Sequence, residues 1–385
     1  MQAENEPSGS VIAFCGTRGV PARYGGFETA VDEISRRFVG WSYDCEIFCR
    51  ASSGEKPLER HDGRYLTYVK GSTRRSLDTF VSAFQTGWHL LRHRRRYRHV
   101  FWFNNANLPG ILLTLLARIP TSVNVDGLEW RRAKWGWPYK AYYIVASFII
   151  SRFCDTLISD SEAIRAYYER DFRKGSELVP YGAPQAPRVP HQRHGTILER
   201  YGVAPGRYLL QITRLEPDNL PLEGARAFRA AGLAREGFAK LIVGYQHDDP
   251  YTRQLKAMSG TNGILVASAI YDPETLAVLR ENCFCYVHGN SVGGTNPALL
   301  EAMSACPRVL AIEGPFSREV LGETGYYFSP DTMDIALGGV PTLPDRSNAM
   351  RDRVRSRYQW DAVAESYARL ALGKPAAYWP MATGA

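Results

Sequence analysis

The sequence predicts an α/β protein built from two doubly wound, Rossmann-like domains that face a central cleft. Three observations carry that expectation. The chain has 385 residues, more than one hydrophobic core usually serves. Short β-rich runs alternate with helix-compatible segments, the pattern of a parallel sheet covered by helices on both faces. A stretch with Pro184, Pro187 and Pro190 interrupts the alternation once, and the pattern then starts afresh. The boundaries expected are a first domain over 1–183, a linker over 184–206 and a second domain over 207–358. Residues 359–385 are expected to supply a C-terminal helix that crosses back to the first domain, and a tail.

The first element reads as a buried strand, Val11–Cys15, running into a loop with glycines at 16, 19, 25 and 26. A helix follows over Phe27–Phe38, with Ala30, Val31 and Ile34 near helical spacing. Further strands are expected at Leu66–Val69, His99–Phe103, Thr121–Val125 and Thr156–Ser159. In the second half, Tyr208–Ile212, Lys240–Val243, Gly263–Val266, Cys283–Val287 and Arg308–Ile312 repeat the pattern. The last helical stretch is Trp360–Leu372.

Composition narrows the class. With 45% hydrophobic and 22% charged residues the chain is an ordinary folded protein. A formal net charge of +8 favours polyanionic partners such as phosphates or acidic headgroups. Nucleic acid is not expected, because the arginines are not interleaved with a nucleic-acid motif. The seven cysteines sit mostly in apolar runs and read as reduced core residues, and Cys283-x-Cys285 lacks the partner pair of a zinc site. No metal and no cofactor are expected. A polar N-terminus and the lack of any apolar run near ~20 residues predict a cytoplasmic protein with no membrane span.

In open α/β sheets, ligands bind beyond the carboxyl ends of the strands, so chemistry is sought there. Gly16–Gly26 would let backbone N–H groups approach a phosphate at a helix N-terminus, with Arg18 and Arg23 supplying charge; a plain tight turn is the alternative. Asn124–Trp135 leaves a strand and packs Asp126, Glu129, Arg131, Arg132 and Lys134 together with Trp130 and Trp135 into twelve residues. Asp126 there suits sugar hydroxyls and an indole suits a pyranose face, against a helix cap with core tryptophans. Arg214, two residues past a strand, can make bidentate bonds to a diphosphate. Val287–Met303 combines a strand, a glycine-rich polar turn and a helix starting near Pro297, a second anion site with Glu301 one turn in. The run Arg92–His99 has five arginines and suits an anionic lipid surface or a solvated helix end.

Two long motifs, Gly16-Thr-Arg-Gly-Val-Pro-Ala-Arg-Tyr-Gly-Gly-Phe-Glu-Thr29 and Gly293-Gly-Thr-Asn-Pro-Ala-Leu-Leu-Glu-Ala-Met303, resemble retaining glycosyltransferase family four, and more narrowly its bacterial rhamnosyltransferase-like branch. Val125–Trp130, Arg132–Trp135, Ser159–Ala163, Arg214–Pro217 and Ile270–Asp272 extend the resemblance over roughly residues 11 to 370. It implies the glycosyltransferase-B (GT-B) fold, with the acceptor on the first domain and the donor nucleotide on the second. By that resemblance Arg214, Asn219, Tyr271, Gly293, Gly294, Thr295, Asn296 and Glu301 bind the donor: Arg214 the diphosphate, Glu301 the ribose, and Tyr271 lies near the base. Arg23, Tyr24, Glu129, Trp130 and Arg132 are expected at the acceptor, and Asp126, Arg18 and Glu28 in catalysis. Gly293 and Asn219 stand where the wider family has a glutamate and a lysine.

The implied activity is transfer of a sugar, rhamnose from dTDP-rhamnose, with retained configuration and no metal, onto a saccharide or lipid-linked saccharide acceptor at the inner face of the cytoplasmic membrane. The alternatives are transfer from another UDP- or GDP-sugar, a nucleotide-sugar epimerase or hydrolase, and a non-catalytic nucleotide-sugar-binding protein.

Overall fold

A computed structural model describes residues 9–22, 25–51, 58–72, 77–125, 130, 136–245 and 248–377. The chain divides into two compact units, residues 1–182 with 359–385, and residues 183–358.

The first unit opens with β1 (Val11–Cys15), α1 (Gly26–Gly40), β2 (Cys45–Arg50), β3 (Arg60–His61), β4 (Arg64–Val69) and α2 (Asp78–Arg92). It continues with β5 (Tyr97–Phe103), α3 (Leu108–Leu116), β6 (Thr121–Asn124), α4 (Trp137–Phe153), β7 (Thr156–Ser159), α5 (Glu162–Phe172) and β8 (Glu177–Leu178). The sheet runs β3-β4-β2-β1-β5-β6-β7-β8, parallel throughout except for the antiparallel β3–β4 pair. β1 lies at the centre, and all five of its residues are buried. That burial on both faces is what an unbroken Val-Ile-Ala-Phe-Cys run encodes.

Strand β2 is less legible, because its sequence carries Glu46. That carboxylate is 1% exposed and accepts hydrogen bonds from Thr67 Oγ1 at 2.5 Å and Tyr97 Oη at 3.0 Å. Thr67 on the adjacent β4, Tyr97 on β5 and the Arg96 guanidinium at 3.6 Å thus offset the charge that burial would otherwise penalise.

The second unit holds α6 (His194–Arg200), β9 (Tyr208–Ile212), α7 (Pro221–Ala230), β10 (Ala239–Gly244), α8 (Pro250–Ala257), β11 (Ile264–Ser268), α9 (Pro273–Asn282) and β12 (Cys285–His288). Then follow α10 (Pro297–Ala305), β13 (Val309–Ile312), α11 (Pro315–Leu321), β14 (Tyr326–Phe328), α12 (Met333–Gly338) and α13 (Ser347–Arg357). Its sheet is wholly parallel, in the order β11-β10-β9-β12-β13-β14. The strand order reverses between β9 and β12, the place where such sheets open a ligand crevice. The segment read as a linker contains α6, and Leu198 and Val203 belong to this unit's core.

The final helix, α14 (Trp360–Ala371), packs on the first unit. Tyr367 is the hinge of that packing. Its ring lies 4.9 Å from Phe101 and stacks on Phe103 at 6.1 Å, while its hydroxyl accepts a bond from Asn124 Nδ2 at 2.8 Å. Gly182 has Trp360 carbons 2.6 Å from where a Cβ would stand, so only glycine lets the chain leave the unit beside the returning helix. All seven cysteines are buried thiols.

Candidate functional site

In the second unit, two loops meet at the switch point. β9 ends at Ile212, and the next residue, Thr213, donates from Oγ1 to Asn290 Oδ1 at 3.1 Å, two residues past β12. Ser291 donates from its amide (3.2 Å) and hydroxyl (3.0 Å) to the carbonyl of Asp218. Gly289 lies so close to the Asn219 carbonyl that a Cβ would come within 2.3 Å of it. Asn219 is itself buried, its Nδ2 donating to the Arg214 carbonyl at 2.8 Å and its carbonyl accepting from Gln211 Nε2 at 3.0 Å. The carboxamide therefore shapes the loop that carries Arg214. The Arg214 side chain is half exposed, with Glu216 the nearest acid at 3.9 Å.

Past Asn290 the chain turns into α10. Gly293 has φ +134°, a conformation that L side chains rarely adopt. Here lies a backbone reason for glycine where the family that the sequence resembles has glutamate. Gly294 follows, Thr295 is buried, and Asn296 caps the helix, its Oδ1 accepting from the Ala298 amide at 2.9 Å. Pro297 stands at the first helical turn, and the helix dipole gives that end a partial positive charge that suits an anion. A shallow, open hollow lies there, lined by His288, Asn290, Gly293, Gly294, Asn296 and Phe316 among others. Burial lowers the His288 pKa to about 4, so the imidazole is a neutral hydrogen-bonding group at physiological pH.

Glu301, one turn into α10, forms a very short ion pair through Oε2 with Nη2 of Arg280 on α9. The arginine side chain is 9% exposed and the carboxylate 29%, so Arg280 holds Glu301 from behind while the carboxylate keeps an open side. Tyr286 lies within the field of both charges and donates to the Ile212 carbonyl at 3.0 Å, linking the pair to the carboxyl end of β9. Tyr271 is 74% exposed, just before α9, whose N-cap Asp272 accepts from the Thr275 amide at 3.0 Å. The Thr275 hydroxyl donates to the same carboxylate oxygen, and these two bonds, the hydroxyl's first, hold the Asp272 carboxyl below its ordinary value.

In the first unit the switch point lies between β1 and β5. Gly16 has φ +93°, and a Cβ there would lie 2.5 Å from the Phe103 carbonyl. Asn107 ties both ends, its Nδ2 donating to Phe103 O at 2.7 Å and Gly16 O at 3.3 Å. Gly19 has φ +105° and packs on Cys49. Glu28 is 7% exposed, in the first turn of α1, and its Oε1 accepts from the Arg18 amide at 2.9 Å. The helix dipole favours a carboxylate at that place, and the bond presents the exposed Arg18 beyond β1. A second shallow hollow is lined by Gly16, Thr17, Arg50, Thr86, Trp102 and Asn107 among others. Trp130 lies 6.1 Å from the Tyr167 ring. Arg23, Tyr24, Asp126, Glu129 and Arg132 lie outside the described residues.

Residues 10–184 match a family described as a domain of unknown function, DUF1972. No curated protein sequence matches the chain. Solved structures match nearly its whole length. Sucrose-phosphate synthase from Thermosynechococcus elongatus superposes with a TM-score of 0.75 at 16% identity, over 94% of this chain and 98% of the synthase. HepE from Anabaena, solved with UDP-glucose, gives 0.72 at 12% identity over 94% and 99%. An α,α-trehalose 6-phosphate synthase from Burkholderia multivorans gives 0.66 at 12% over 95% and 98%. The fold is GT-B.

Arg280 and Thr213 of this GT-B chain lie outside every motif that the sequence displays. Arg280 lies on the buried face of α9, beside Val278 and Leu279. An arginine on the apolar side of an amphipathic helix is costly without a carboxylate partner, and that was the available signal. Thr213 carried none, because its partner is 77 residues away.

Proposed function

We propose that the protein is a glycosyltransferase that takes a nucleoside-diphosphate sugar as donor, and that its donor is dTDP-rhamnose. The observation that supports this best is the set of groups around the β9/β12 switch point. Exposed Arg214 and the α10 N-terminus suit the two phosphates. The carboxylate of Glu301, backed by Arg280, suits the two hydroxyls of a ribose. Tyr271 offers an exposed ring for a base. HepE, a structural neighbour, was solved with UDP-glucose. Gly293 gives the donor sugar no carboxylate, which suits a deoxy sugar with one hydroxyl fewer.

In this reading the acceptor is a lipid-linked saccharide bound by the first unit, with Arg23, Tyr24, Glu129, Trp130 and Arg132 around it and Asp126 orienting the attacking hydroxyl. Arg214 and the positive end of the α10 dipole stabilise charge on the departing diphosphate, the role that preorganised groups fill best, and Arg18 supplies positive charge at the first unit's switch point. Attack on the same face as the leaving group retains configuration, a donor phosphate oxygen taking the acceptor's proton. Glu28 acts through the loop it holds, as a positioning residue, and Asn219 does the same for Arg214. No metal takes part.

The test is incubation with dTDP-, UDP- and GDP-sugars and a lipid-linked acceptor, with products identified by mass and NMR. A rhamnosylated product with retained configuration, undiminished by EDTA, is expected. Donor turnover without acceptor would make the protein an epimerase or hydrolase, and tight binding without turnover would make it a sensor. Activity lost with chelator and restored by magnesium would end the metal-free reading.

A further inference from the structure

Helix α4 is built inside out. Its buried side carries Tyr143, Ala146, Ser147, Ile150 and Ser151, with Ser147 Oγ accepting from Asn105 Nδ2 at 2.9 Å and Tyr168 Oη at 3.2 Å. Its outward side is the more apolar: Ile144, Val145, Phe148 (56% exposed) and Phe153 (66%) face solvent. The same face continues on neighbouring helices. The chain reaches β5, β6 and β7 in one direction across the sheet, so right-handed crossovers put α2, α3 and α4 on one side of it. A Cβ on Gly87 of α2 would meet Gly110 Cα of α3 at 2.7 Å, and Phe80 of α2 meets Tyr142 of α4 edge-on at 4.9 Å. On that side α2 exposes Phe84 and Trp88, their rings stacked at 6.4 Å, and α3 exposes Leu112 and Leu116.

Charge is concentrated in the same segment. Residues 78–153 carry eleven Lys and Arg against three Asp and Glu, a net +8, which equals the charge of the entire chain. The other residues sum to zero. Exposed Arg92, Arg94, Arg98, Arg118 and Arg152 lie at the ends of these three helices and the strand that follows α2, and the Arg92 guanidinium lies 5.0 Å over the Trp88 ring.

We infer that the α2–α3–α4 face docks on the interface of an anionic lipid bilayer, the apolar side chains entering the acyl boundary and the arginines meeting the headgroups. No described helix is long and apolar enough to cross a membrane, so the contact is peripheral. Like charge disfavours a second copy of this chain, since a two-fold pairing would set the same exposed arginines against each other. A nucleic acid would neutralise the arginines and leave Leu116, Val145 and Phe153 wet. The inference does not depend on the transfer reaction.

The test is sedimentation of the full chain with vesicles of phosphatidylcholine alone or mixed with phosphatidylglycerol at 7:3. Binding to the mixed vesicles is expected, roughly ten-fold or more stronger than to neutral ones and weakened at 0.5 M salt. Val145→Asp/Phe148→Asp removes two exposed side chains and should weaken binding about a hundred-fold, each buried apolar group being worth roughly a factor of ten. Arg94→Glu/Arg98→Glu should abolish the preference for the anionic lipid. Ile335→Asp, at an exposed site of the second unit, should bind as the wild type does, and a melting curve checks that each variant is folded. Unaltered binding by the folded Val145/Phe148 variant overturns the inference. So does a wild-type dimer, seen by light scattering, that this variant converts to monomer.

Discussion

Removing either partner of the Glu301–Arg280 pair should have unequal consequences, and the inequality tests both its structural and its binding role. Glu301→Ala leaves a guanidinium that is 9% exposed with no countercharge, whereas Arg280→Ala leaves a carboxylate that is 29% exposed and reaches water. Stranding a buried charge costs about 3 to 5 kcal/mol. The lower end suits the first variant, and about 1 kcal/mol suits the second because solvent screens the remaining charge. At ~2–4 °C per kcal/mol for a unit of this size, Glu301→Ala should lower Tm by roughly 6–12 °C and Arg280→Ala by a few degrees.

Binding should rank in the same order. A hydrogen bond to a charged group is worth about 1.5–3 kcal/mol, so loss of the Glu301 carboxylate should weaken a nucleoside diphosphate by roughly ten- to a hundred-fold. Arg280→Ala should weaken it less, since the acceptor atoms remain but are no longer held. Arg280→Lys should recover part of the loss. Calorimetry with dTDP and UDP well below each variant's Tm reads this. A Glu301→Ala protein that is folded and binds within two-fold of the wild type would refute the assignment.

Three other outcomes follow from the same physical reasoning. Lys240, buried in β10 with no hydrogen-bond partner for Nζ, has its pKa lowered to about 7 by burial. The folded state therefore favours the neutral amine, and its contribution to stability rises with pH between about 7 and 10.5 and is flat below. Lys240→Met should be more stable than wild type at pH 7 by up to about 5 kcal/mol, a gap that narrows as pH rises; a gap constant from pH 7 to 9.5 in urea titrations would contradict this. Gly293→Glu, which installs at φ +134° the residue of the family that the sequence resembles, should cost about 1–3 kcal/mol and reduce donor binding rather than improve it, as melting curves and calorimetry would show. Trp360→Ala and Tyr367→Ala remove α14's anchors on the first unit, and each should destabilise by about 3–5 kcal/mol, read by chemical denaturation.

The fold was legible where one stretch of chain encodes its own environment. Val11–Cys15 with the glycines after it could only be a buried strand feeding a tight turn, and Pro297 after Asn296 marked the start of α10. Legibility failed where the deciding partner is remote. Strand β2 contains an acid that looks exposed until Thr67 and Tyr97 are brought beside it. Helix α6 was masked by the prolines that precede it. Around the switch points the motifs were visible but their internal wiring was not. Glu28 reads as a free carboxylate and is bound to the Arg18 amide, Asn219 reads as a ligand group and shapes the Arg214 loop, and Glu301 has a partner 21 residues earlier on another helix. The glycine at 293 looked like a missing glutamate, and its reason is a backbone angle that no composition or spacing reports.

The central claim, sugar transfer from a nucleoside-diphosphate donor, is tested most directly by following dTDP release from dTDP-rhamnose with and without a lipid-linked saccharide acceptor. Release that requires acceptor and matches the rhamnosylated product one for one is the expected result; equal release in its absence, or none from any nucleotide sugar despite binding, would contradict the account.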